Sequence, residues 1–207
     1  MTHIEIEHIN SMFNLFFHLM DNEQVKAFKE DLSKNYKKGI IFSGVGKNWY
    51  IAEKVVKTYL SMGIPAQALD PVHGIHGDIG MVNDQFIVLM SRSGTTQELV
   101  YLAKVLRKLN NLGITNSKLV GFSLNPNKPF SEYFDYYIAP DESYKDKIYE
   151  FDERNLVPSL SINCCQLVLD KIGVEVFEDH QELVDRYKYN HIGGANGKKL
   201  GMEDFNV

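Results

Sequence analysis

The spacing of hydrophobic residues changes character along this chain. Up to about Tyr36 it is helical: Ile9, Met12, Phe13, Phe16, Phe17 and Met20 recur at intervals of three and four. Asp21 and Asn22 interrupt the stripe, and Val25, Phe28 and Leu32 resume it. This predicts a helical hairpin over residues 1–36. A hairpin so apolar needs a surface to cover it, either the rest of the chain or another subunit. From Gly39 onward, short unbroken apolar runs replace the stripe. Gly39-Ile-Ile-Phe-Ser, Ala66 to Leu69, Gln85 to Met90, Lys118 to Ser123 and Tyr136 to Ala139 read as buried strands. Segments of helical period separate them, at about Trp49 to Met62 and Gln97 to Leu112. Two more helices follow, at about Pro158 to Ile172 and Glu178 to Tyr187. Strand alternating with helix predicts a three-layer α/β sandwich: a five-stranded parallel sheet with helices on both faces and the N-terminal helices appended. We divide the chain into a hairpin (1–36), an α/β core (39–188) and a glycine-bearing, aperiodic tail (189–207) that needs a partner to order it.

Composition narrows the function classes. With 207 residues, 44% hydrophobic and 24% charged, the chain is ordinary globular material. A net charge of −5 argues against a general nucleic-acid surface. No apolar run is long enough to span a membrane, and the first ten residues do not read as a secretory signal. The two cysteines, Cys164 and Cys165, are adjacent. Neighbours rarely meet disulfide geometry, so both are read as small core residues in a reducing, cytoplasmic setting.

Candidate chemistry lies where strands end, because ligands of open α/β sheets bind there. After the first strand comes Ser43-Gly44-Val45-Gly46-Lys47-Asn48. Its glycines let backbone N–H groups approach an anion, and Lys47 adds a full charge. An ordinary tight turn with an exposed lysine would look the same. After the third strand comes Ser91-Arg-Ser93-Gly94-Thr95-Thr96-Gln-Glu98. One hydroxyl suffices to cap a helix, and four exceed that need, which favours phosphate binding at the helix N-terminus. Glu98 then complements the helix dipole or stands beside a bound phosphoester. The loop 71–80 carries His73, His76 and Asp78. Its intervening glycines argue against a helical metal-ligand face, and a histidine acting as acid, base or hydroxyl binder fits better.

These motifs together resemble a known family. Ser-Gly-x-Gly-Lys, His-Gly-Asp-x-Gly-Met and Ser-x-Ser-Gly-x-Thr-x-Glu are similar to the sugar isomerase (SIS) domain. The closing segment His191-Ile-Gly-Gly-Ala-Asn-Gly-Lys-Lys-Leu200 resembles the His-Pro-Gly-Gly-x-x-Gly-(Arg/Lys)-x-Leu signature of D-arabinose-5-phosphate isomerases. The resemblance runs from about Ile40 to Leu200. It implies interconversion of D-ribulose 5-phosphate and D-arabinose 5-phosphate through an enediol, serving synthesis of the envelope sugar Kdo. It implies catalytic roles for Lys47, His76, Glu98, Glu150 and His191. Ser43, Gly44, Gly46, Asn48, Ser91, Ser93, Gly94, Thr95 and Thr96 would hold substrate and phosphate. It further implies a homotetramer with sites shared between subunits, and no metal or other cofactor. Many relatives continue into a pair of cystathionine-β-synthase-type domains, so the resemblance here is to a single-domain form. The chain departs from the family at Asn48, at Ile192 and across residues 152–159. The alternatives are another phosphosugar isomerase of this fold and a non-catalytic sugar-phosphate-binding regulator.

Overall fold

The computed structural model describes residues 3–152, 154–192 and 195–201. Helix α1 (His3–Met20) and helix α2 (Glu23–Asn35) form the hairpin, and Asn22 caps the second by accepting the Gln24 N–H at 2.8 Å. Then follow β1 (Ile40–Gly44), α3 (Lys47–Ser61), β2 (Ala66–Ala68), the single turn α4 (Pro71–Gly74), β3 (Phe86–Ser91) and α5 (Gln97–Asn111). The chain continues with β4 (Lys118–Ser123), β5 (Tyr136–Ile138), α6 (Leu160–Glu178), α7 (Gln181–Arg186), a 3-10 turn at Tyr187–His191 and α8 (Ala195–Lys199). Among the described residues the strands make one parallel sheet in the order β2-β1-β3-β4-β5.

Strand residues alternate between two layers, as a pleated backbone requires. Ile40, Phe42, Phe86, Val88, Val120 and Phe122 face a core shared with α1, α2, α3 and α6. Ile41, Ile87, Leu89 and Leu119 face the other side, under α5 and the segment around Ile79 to Val82. The hairpin is built into this core, since Leu15, Leu19, Phe28 and Leu32 are all buried in it.

Three details differ from the sequence expectation. The inward stripe of α1 is led by Leu15 and Leu19, while Phe13 and Phe17 point outward, 46% and 62% exposed. Met12, Phe16 and Met20 of the predicted stripe pack against the core beside Leu15 and Leu19, so the stripe turns inward there and outward at Phe13 and Phe17. Helix α6 runs unbroken to Glu178 instead of ending near Ile172. Gly173 does not stop it, because a side chain there would lie 2.6 Å from the Tyr59 ring, and the small residue lets α3 and α6 close up. Tyr59 Oη donates across that contact to the Leu169 carbonyl at 3.0 Å. Finally, the start of the tail docks on its own chain, with Asn190 Nδ2 donating to the Ser61 carbonyl at 3.1 Å.

Candidate active site

The order of strands places a topological switch between β1 and β3, the position where open α/β sheets bind ligands. Gly44 and Met90 are in register there. The loops leaving the two strands therefore start about 5 Å apart.

The β1 loop is shaped by two glycines. A side chain on Gly44 would meet the Asn48 backbone at 2.7 Å, and Gly46 holds φ +62°. This sharp turn leaves Lys47 exposed on the first turn of α3, with Asn48 half-buried behind it. Ser43 is fully buried, and its hydroxyl has no partner among the described residues.

The β3 loop folds around its own hydroxyls. Ser91 Oγ lies 2.8 Å from Thr96 Oγ1 and accepts the Gly94 N–H at 3.1 Å. Ser93 Oγ accepts the Thr95 N–H at 3.2 Å and the Thr95 hydroxyl at 3.0 Å. Gly94 holds φ +72°, and a Cβ there would strike Pro129 Cγ at 2.7 Å and Tyr137 Oη at 2.9 Å. Asn125, just past β4, braces the loop by donating to the Ser93 carbonyl at 3.0 Å. Despite four hydroxyls, the residue at the N-cap of α5, Thr96, makes no side-chain capping bond. The leading N–H groups of the helix are open to an incoming anion. Glu98 sits exposed on the first turn of the same helix.

The remaining predicted residues divide. His76 is exposed in the loop leaving β2, which is the strand on the far side of β1, so it shares the carboxyl edge of the sheet. His73, His76 and Asp78 do not converge; among the described residues no three metal-binding side chains cluster. Glu150 is brought to the site, but it is fully buried and pairs with Arg92 at 3.3 Å. His191 is not brought to it. The neighbouring Asn190 is bonded at Ser61, the far end of α3, and the His191 ring lies tilted against Tyr187 with centroids 4.3 Å apart. The fifteen residues of α3 span about 20 Å. One copy of the chain therefore does not unite His191 with Lys47, and a site holding both needs a second copy. Gly193 and Gly194, the centre of the closing segment, and Glu153 lie outside the described residues.

Arg92, Asn125 and Lys145, which line a cleft beside the β3 loop, were not singled out from sequence. Arg92 carried a signal, being a guanidinium between two serines of an anion loop. Asn125 and Lys145 carried none, since their loops meet the site only through strand order. Burial pushes the Cys164 thiol up to about 12 and the Cys165 thiol well above its ordinary value, so neither is a nucleophile at neutral pH. No helix among the described residues is long and apolar enough to cross a membrane.

Comparison with solved structures gives the fold a context. The chain superposes on a candidate phosphosugar isomerase involved in capsule formation from Bacteroides fragilis NCTC 9343 with a TM-score of 0.73. The two are 24% identical, and the match covers 91% of this chain and 98% of that one. The chain has the fold of the phosphosugar isomerases. An Escherichia coli CFT073 protein solved in complex with arabinose 5-phosphate matches at 25% identity and a TM-score of 0.64, over 85% of this chain and 89% of that one. In sequence, arabinose 5-phosphate isomerase KdsD of Pseudomonas aeruginosa is 28% identical over 162 residues, 78% of this chain and 46% of that protein. The chain spans about half the length of the curated relatives it matches. No protein-family model matches it.

Proposed function

We propose that this chain belongs to the sugar isomerase domain family and is an aldose–ketose isomerase of pentose 5-phosphates. Its reaction would interconvert D-ribulose 5-phosphate and D-arabinose 5-phosphate. One observation carries this reading: an α5 N-terminus without a side-chain cap, with four hydroxyls in the loop before it, leaving β3 beside the strand whose following helix begins with Lys47. The likeness to a protein that holds arabinose 5-phosphate and to an isomerase structure supports it.

The chemistry follows from what such a site holds. Residues 91–96 and the first N–H groups of α5 anchor the phosphate, so the far end of the sugar is presented in one orientation. A base removes a proton from C1 of the ketose, the C1–C2 enediolate forms, and the proton returns at C2 while O1 loses and O2 gains one. Glu98, exposed on the first turn of α5, would take the carbon proton. Lys47 polarises the C2 carbonyl and stabilises the enediolate oxygen. His76 exchanges protons with the oxygens. His191 would join from a second copy, in a tetramer whose sites are shared. The setting we infer is the cytoplasm, with the product feeding Kdo synthesis.

Proton NMR of the purified protein with D-ribulose 5-phosphate in D2O, without added metal, tests the proposal. The anomeric signal of arabinose 5-phosphate should grow in, with deuterium at C2. Binding of the sugar phosphate without turnover over hours would make the protein a sensor instead.

A further inference from the structure

Glu150 and Arg92 reach each other from different parts of the fold. Arg92 belongs to the hydroxyl loop after β3, and Glu150 precedes α6. The chain beside Glu150 is held down from α1, where Ser11 Oγ donates to the Lys147 carbonyl at 2.7 Å and His8 Nδ1 to the Glu150 carbonyl at 2.6 Å. Its own N–H donates to Asn155 Oδ1 at 2.8 Å. The carboxylate, fully buried, accepts the N–H groups of Ser159 at 2.8 Å and Ser161 at 3.2 Å, together with the Ser161 hydroxyl. Arg92 Nε lies 3.3 Å from Oε1 as an ion pair, without hydrogen-bond alignment, and is itself buried. A carboxylate so occupied and shielded cannot reach a substrate carbon. Arg92, by contrast, is 37% exposed on its side chain. It lines a cleft with Ser93, Asn125 and Lys145, beside the anion loop. Among the described residues Glu150 is its one ionic partner.

We propose that Glu150 is a positioning residue, not the proton acceptor, and that it fixes Arg92 so that the guanidinium meets the anionic group held at residues 91–96. Arg92 is then a specificity-determining contact for a phosphate monoester, and Glu98 is left as the carbon base. The proposal rests on reading the loop as a phosphate cradle. The pairing is mutual: a buried carboxylate left alone would carry a heavy desolvation penalty, and an arginine left alone would swing into solvent. Substituting glutamine at 150 separates the two duties. The backbone N–H groups of Ser159 and Ser161 claim the amide oxygen, so the amide NH2 must face Arg92, donor against donor. The helix end stays served and Arg92 is released.

The test combines calorimetry with inorganic phosphate and steady-state kinetics on wild type, Arg92→Gln, Arg92→Lys, Glu150→Gln and the Arg92→Gln/Glu150→Gln double variant. Arg92→Gln should weaken phosphate binding and raise KM about tenfold, the scale of a lost charge-assisted contact. Arg92→Lys should not rescue it, because an ammonium cannot hold Glu150 and reach the anion together. Glu150→Gln should raise KM about fivefold, keep kcat within about threefold and preserve the acidic limb of the pH–rate profile. It should add nothing in the Arg92→Gln background. A fall in kcat of about 100-fold with KM unchanged in Glu150→Gln would make Glu150 the base and overturn the proposal. Unchanged phosphate affinity in Arg92→Gln, wild-type behaviour of Arg92→Lys, or additive effects in the double variant would overturn it too. If Glu150→Gln does not fold, the two Arg92 variants decide alone. If the wild type binds phosphate but isomerises no sugar, the isomerase reading fails, and the phosphate affinities still decide the role of Arg92.

Discussion

At the scale of single residues, the proposed reaction rests on a few side chains. Lys47→Ala and Glu98→Gln should each lower turnover by about 100-fold or more in steady-state assays, as lost charge-stabilising or acid–base groups do. Unchanged rates would remove them from the mechanism. Gly94→Ala should damage the anion loop without touching any hydroxyl, because its Cβ would strike Pro129 and Tyr137 in a left-handed backbone. The expected outcome is weaker phosphate binding by calorimetry and a loss of about 1–3 kcal/mol in urea unfolding. The places of Lys47 and the 91–96 hydroxyls at strand ends were legible in the sequence because they follow apolar runs directly. Residue type and position along the strand suffice to place them. The Arg92–Glu150 pair was not legible, since the burial of a glutamate is a property of the segments folded over it. In sequence Glu150 stands in a charged stretch that reads as solvated.

Among elements, α6 is the one the sequence rendered least well. The sequence divides it near Ile172, whereas the structure runs one helix to Glu178 through Gly173, whose lack of a side chain leaves room for the Tyr59 ring. Gly173→Ala should therefore separate α3 from α6 and cost about 1–3 kcal/mol by chemical denaturation, although alanine favours helix. The same helix is tied to α2 through Glu175, which accepts from Lys29 at 2.7 Å and Lys171 at 3.1 Å. Burial pushes its carboxyl up, but the hydrogen bonds and charges of the two lysines outweigh burial and hold it below its ordinary value of 4.5. A depressed native value means that the ionised form stabilises the fold. The contribution is whole above about pH 4.5 and is lost as the pH falls through the native value. Lys29→Met should flatten that acid limb in urea midpoints measured from about pH 7 down to about pH 3. The α1 stripe shows the opposite problem. Its period was correct, but a helix with apolar residues on two flanks does not say which flank turns inward.

For the molecule as a whole, the separation of Lys47 and His191 along α3 means that, if both serve the proposed reaction, an assembly must bring them together. Light scattering at micromolar concentration should give a multiple of the chain mass. Mixed refolding of two inactive chains, Lys47→Ala and His191→Ala, should restore part of the activity, because some shared sites would then hold both native groups. Complete inactivity of the mixture, with both variants folded and associated, would place His191 outside the site.

The sheet itself leaves such an assembly few ways to form. β2 and β5, the two edge strands, are three residues each. α2 closes the β5 edge: Gln24 Oε1 accepts the Tyr137 N–H at 3.3 Å, and Asn22 Nδ2 donates to the Ala139 carbonyl at 3.1 Å. Pro65 immediately precedes β2. A sheet with such blunt margins offers little template for a foreign strand. Any association of copies would therefore run through helices and loops, and crowded solutions of the folded chain should resist fibril seeding.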